Sequence, residues 1–160
     1  GDYRSARNGP APELIACHDQ TEELEAVAAT INDWLAEGDV DPESIAVLTR
    51  SQDDRDRFVR GLGERGVMVR ALDKNAASSG HPLVLTMHRA KGMEFSRVIL
   101  SGADDKHVPS PASWRNVPDE ERAEALLRER SLLYVASSRA RDALVVTWSG
   151  KRTELLGAVE

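Results

Sequence analysis

Six short apolar runs, set apart by helical stretches and turn signals, constrain this chain more than any other feature. They are Glu13-Leu14-Ile15-Ala16-Cys17, Ile45-Ala46-Val47-Leu48, Val67-Met68-Val69-Arg70, Leu83-Val84-Leu85, Val98-Ile99-Leu100 and Ala143-Leu144-Val145-Val146-Thr147. Runs of this length bounded by turn residues read as buried strands. Leu24, Val27, Ala28, Ile31 and Leu35 recur at helical spacing and predict a helix over 20–36, with Asp19 and Glu22 as a capping box. Ser51 with Asp54 opens a second helix, whose buried face is Phe58, Val59 and Leu62. A third is predicted over 119–140, buried through Ala123, Leu126, Leu127, Leu133, Ala136 and Ala140. Strands alternating with helices predict an α/β fold of three layers, a mainly parallel sheet between helices.

Composition narrows the class. The chain has 160 residues, enough for one domain with a real core, and is 41% hydrophobic and 30% charged. Residues 1–12 read as an irregular lead-in, 13–150 as the domain and 151–160 as a polar tail with one apolar patch at Leu155-Leu156. No run approaches the roughly 20 apolar residues of a membrane span, so no membrane partner is expected. Cys17 is the only cysteine, which excludes an intramolecular disulfide and fits a cytoplasmic location. A net charge of −6 means that any contact with nucleic acid must be local or shared with a partner domain.

Chemistry concentrates in Thr86-Met87-His88-Arg89-Ala90-Lys91-Gly92-Met93-Glu94-Phe95, a polar connection between two strand runs. Function in parallel sheets gathers beyond the carboxyl ends of strands. Arg50, the 91–94 turn and Arg139 are therefore expected on one edge, where two arginines and a lysine suit a phosphate ligand. No G-x-x-x-x-G-K-[ST] loop is present to cradle phosphates, so hydrolysis by this chain alone is not expected. No metal site is expected either.

The stretch at 86–95 resembles motif V of superfamily 1 helicases of the UvrD/Rep/PcrA type. Arg130-Ser131-Leu132-Leu133-Tyr134-Val135-Ala136-Ser137-Ser138-Arg139-Ala140 resembles their motif VI, and Ile45-Ala46-Val47-Leu48-Thr49-Arg50-Ser51 their motif IV. Tyr3-Arg4-Ser5 is similar to the triplet closing their first motor domain. The resemblance implies a second RecA-like motor domain acting on ATP, with Mg²⁺ held by a separate N-terminal RecA-like domain. It makes Arg139 an arginine finger and Arg50 a second γ-phosphate contact. Lys91, Gly92 and Glu94 would line the nucleotide, with Glu94 on the ribose, while Thr86 and His88 would touch single-stranded DNA. Thr49 stands where the family carries an adenine-stacking Tyr, and Ser138 where it carries Thr. Residues 73–82 are too few for the accessory domain that the family inserts there. The alternative is a helicase-like ATPase or scaffold that remodels a protein–nucleic-acid complex such as RNA polymerase.

Overall fold

A computed structural model describes residues 9–72 and 80–159. The triplet Tyr3-Arg4-Ser5 and most of the 73–82 loop lie outside the described residues. Among the described residues, six strands form one sheet in the order β1-β6-β5-β2-β4-β3, and each strand pairs with its neighbours in parallel. They are β1 (Pro12–Cys17), β2 (Ile45–Thr49), β3 (Arg70–Ala71), β4 (Leu83–Thr86), β5 (Phe95–Leu100) and β6 (Ala140–Ser149).

Side chains alternate across the pleat, and the sequence fills both faces with apolar groups. Ile45 and Val47 of β2 join Val84, Ile99 and Val145 beneath helices α1 (Gln20–Ala36) and α2 (Gln52–Glu64), against Val27, Ile31, Phe58 and Leu62. Ala46 and Leu48 point the other way, with Leu85, Leu100 and Val146, against Leu133 and Ala136 of α4 (Arg122–Ser137). The three-layer arrangement read from the alternation is the one observed.

Both helix starts expected from capping residues are capped. The Asp19 carboxylate accepts from the Glu22 N–H at 2.8 Å, and Ser51 Oγ accepts from the Asp54 N–H at 3.2 Å, each cap contributing about 1 kcal/mol. Several features differ from expectation. The run 67–70 pairs only through Arg70 and Ala71, because Val67 turns into the core while Met68 is left exposed. A short helix α3 (Pro111–Trp114) and a 3-10 turn at Asp119–Glu121 precede α4, which stops at Ser137 rather than 140. Within α4, Ala123 and Leu127 face solvent, and Ala125 and Glu129 occupy the buried stripe. Finally, the expected polar tail folds back as a 3-10 helix, Glu154–Ala158, which packs on α4 and buries Leu155, Leu156 and Val159.

That last packing is testable. Leu156 is 1% exposed within the α4-side core, so Leu156→Ala should destabilise the chain by about 2–5 kcal/mol in urea unfolding. A value near zero would mean that the segment contributes nothing to the fold.

Candidate functional site

Parallel strands share a direction, so the sheet has a starting edge and a finishing edge. At the finishing edge, β2 delivers Thr49 and Arg50, and β4 delivers Thr86 followed by the turn at 87–92. The Met87 N–H donates to the Thr49 carbonyl at 2.7 Å, fastening the two strand ends together. Thr86 caps the turn: its Oγ1 accepts from the Arg89 N–H and its carbonyl from the Ala90 N–H. Gly92 has φ +79°, the left-handed conformation that reverses the chain there and favours glycine.

Arg50 is not a free cation. Its Nε donates to Glu129 Oε1 at 2.9 Å and its Nη2 to Oε2 at 2.7 Å. Glu129 Oε1 also accepts from the Ser110 N–H at 2.9 Å. Burial pushes the Glu129 carboxyl up, but the Arg50 guanidinium and the Ser110 N–H outweigh it and leave the pKa below the ordinary value. His88 stands beside this pair. Desolvation against the cleft wall and the Arg50 charge hold its pKa below the ordinary histidine value, so at neutral pH the ring is neutral. Arg50, His88, Lys91, Arg128, Glu129 and Ser131 are among the residues lining a cleft of about 590 Å³.

Thr49 is 1% exposed, and its hydroxyl donates to the Ser51 carbonyl at 2.9 Å. It serves the turn and presents no surface for stacking.

The starting edge holds the other two charged groups. Arg139 immediately precedes β6 and Glu94 immediately precedes β5, and the Phe95 N–H donates to the Arg139 carbonyl at 2.8 Å. Glu94 is exposed. Arg139 Nη2 donates to Ser138 Oγ at 3.0 Å, while its buried Nε has no partner and no carboxylate among the described residues pairs with it. The expectation that Arg50, the 91–94 turn and Arg139 converge on one edge is therefore corrected. A five-residue strand spans roughly 17 Å, and Arg50 follows one strand while Arg139 introduces another. The 87–94 connection runs from the finishing edge back to the starting edge. It carries His88 and Lys91 at one end and Glu94 at the other.

Residues 77–151 match the family model of the UvrD-like helicase C-terminal domain. Over those residues the chain is similar to UvrD-like helicase C-terminal domains, and ATP-dependent DNA helicases are among the relatives that it resembles. Over 84 residues it is 36% identical to a putative ATP-dependent DNA helicase, YjcD, of Bacillus subtilis, covering 52% of this chain and 11% of that protein. Over 125 residues it is 28% identical to the ATP-dependent DNA helicase Rep of Buchnera aphidicola, covering 78% of this chain and 17% of the relative. The chain thus spans less than a fifth of the length of these relatives. The chain also superposes, with TM-score 0.70 and 21% identity, on the C-terminal domain of a possible DNA helicase from Lactobacillus plantarum WCFS1, over 95% of this chain and 82% of that one. That likeness establishes the fold.

A polar cluster at the finishing edge, on the α1 and α2 side, escaped sequence reading. Glu23 of α1 is fully buried; its Oε2 accepts from the Gly102 N–H at 2.8 Å and from Thr147 Oγ1 at 2.7 Å. Burial drives its pKa up. Further along, His107 Nδ1 lies 2.6 Å from Asp104 Oδ1 and Nε2 lies 3.5 Å from Asp54 Oδ1, with Arg57 also on Asp54. The signal was present in the spacing: Glu23 sits four residues before Val27 and eight before Ile31, on the apolar stripe of α1. Among the described residues, no group of three or more His, Cys, Asp or Glu could hold a metal ion, and no helix is long and apolar enough to cross a membrane.

The His107 pair generates a pH prediction. Hydrogen bonding to Asp104 outweighs burial and raises the His107 pKa above its ordinary value. A raised folded pKa adds stability that is complete below the unfolded value of about 6.5 and is lost as pH rises through the folded value. In urea unfolding, the stability gap between wild type and His107→Gln should be larger at pH 6 than at pH 8.5. Equal gaps would remove the charged pair from the account.

Proposed function

We propose that this chain is the second motor domain of an ATP-dependent superfamily 1 DNA helicase or translocase. It supplies an arginine finger and part of the single-strand grip, while the phosphate-cradling loop and its Mg²⁺ belong to a separate N-terminal RecA-like domain. The observation that carries the reading is Arg139: a half-buried guanidinium with an unpartnered Nε, beside exposed Glu94, at the sheet's starting edge. Leaving a buried charged donor unsatisfied is costly. A negatively charged phosphoryl group arriving from a neighbouring domain would relieve that cost, and the planar guanidinium fits its oxygens two at a time. Glu94 is a suitable acceptor for ribose hydroxyls, and Lys91 and Gly92 lie on the connection that leads to it.

In this reading, Thr86 and His88 serve the single strand at the finishing edge. Arg50 is assigned there too, rather than to the γ-phosphate, because it shares the cleft with His88 and stands a strand's length from Arg139. The 87–94 connection then links grip to nucleotide, since a shift at one end pulls on the other.

The test lies in the full-length protein. Arginine fingers contribute roughly 10³–10⁵ in rate, so Arg139→Ala should nearly abolish DNA-stimulated ATP hydrolysis, with ATP affinity much less affected. Arg141→Ala is the matched control, because Arg141 is engaged with Asp142 at 3.2 Å. Hydrolysis by folded Arg139→Ala at the wild-type rate would refute the assignment.

A further inference from the structure

We propose that Glu129 is a positioning residue for the nucleic-acid edge: its buried carboxylate fixes Arg50 so that this guanidinium meets a phosphodiester of a single strand lying in the cleft. The inference rests on the reading of that edge as the strand-binding side.

The geometry is that of a built site. Glu129 is 6% exposed and lies on the buried stripe of α4, where an apolar residue would be the ordinary choice. Its two oxygens take both Nε and Nη2 of Arg50, the side-on fork that holds a guanidinium in one plane. The Ser110 N–H fixes the carboxylate in turn. A guanidinium has five N–H donors, and this pairing leaves Nη1 without a partner among the described residues, on a side chain that lines the cleft with His88, Lys91 and Arg128. An isolated arginine would sample many rotamers and lose that entropy on meeting a ligand; one already clamped has lost it in advance. Glu129 also ties the strand end to α4, the helix that runs on toward Arg139.

A carboxylate that only offsets charge would weaken phosphate binding, whereas one that positions Arg50 would strengthen it. The sign decides between them. Binding of this chain to a fluorescein-labelled oligodeoxythymidylate is followed by anisotropy from 20 to 200 mM salt. Glu129→Asp keeps the charge but withdraws it by one methylene, and Glu129→Gln removes it; both should bind about tenfold more weakly than wild type, the loss of one charge-assisted hydrogen bond. Arg50→Lys keeps the cation yet loses the fork, and should weaken binding alike. In the Glu129 variants the slope of log K against log salt should fall by about 0.7, the share of one phosphate contact on a single strand. Circular dichroism confirms folding, and whichever variants fold carry the comparison. Wild-type or tighter binding by the Glu129 variants, with Arg50→Gln weaker, would overturn the positioning role and leave the edge standing. No loss in either Arg50→Gln or His88→Ala, or no binding by wild type at 20 mM salt, would overturn the edge itself and the proposal with it.

Discussion

Parallel strands cannot be joined by a tight turn; each connection must travel back across a face of the sheet before the next strand begins. Every other feature of this molecule follows from that requirement. It puts strand starts at one edge and strand ends at the other, so residues close in sequence reach opposite sides of the domain. The return from β4 to β5 is made without a helix, in the residues from 87 to 94, and passes over β2 on the α4 side. Met87, Ala90 and Phe95 bury themselves along the way, with Met93 partly buried against them. The intervening His88, Lys91 and Glu94 stay outside. An apolar anchor at every second or third position makes a charged segment a fixed part of the fold.

Buried carboxylates hold the finishing edge together. Glu23 ties α1 to the ends of β5 and β6, and Glu129 ties α4 to the end of β2. Neither is a cheap way to gain stability, since desolvating a charge offsets much of what its partners return. Removing one member of a buried pair costs roughly 3–5 kcal/mol, whereas a matched apolar replacement is often neutral. What such groups supply is a single arrangement of the elements they join. That is what an edge needs if it presents several side chains to one ligand.

Much of the fold could be read from residues. Helix α1 was placed at 20–36 because its cap and its apolar spacing agree, and the core strands because their runs were short and unbroken. Val67-Met68-Val69-Arg70 misled because a short apolar run does not say whether a neighbouring strand is there to pair with. Leu127 looked buried by its chemistry, yet the stripe of α4 runs through Ala125, Glu129 and Leu133, and a carboxylate on a buried stripe is invisible to a count of apolar residues. The separation of Arg50 from Arg139 was missed for a topological reason. Arg139 lies near the end of the predicted helix, whereas its position is set by the strand that it introduces. The match to UvrD-like C-terminal domains was legible in the motifs themselves, whose order and spacing no rearrangement of the sheet could alter.

The central claim is that the domain has two functional edges and that the strand-binding one is the finishing edge. Amide shifts of the ¹⁵N-labelled chain, titrated with an unlabelled oligodeoxythymidylate at low salt, test it most directly. The account predicts perturbations at Arg50, Ser51, Thr86, His88, Lys91 and Ser110, with Glu94, Phe95, Arg139 and Ala140 unmoved. Strongest shifts at Glu94 and Arg139, with the cleft silent, would contradict it.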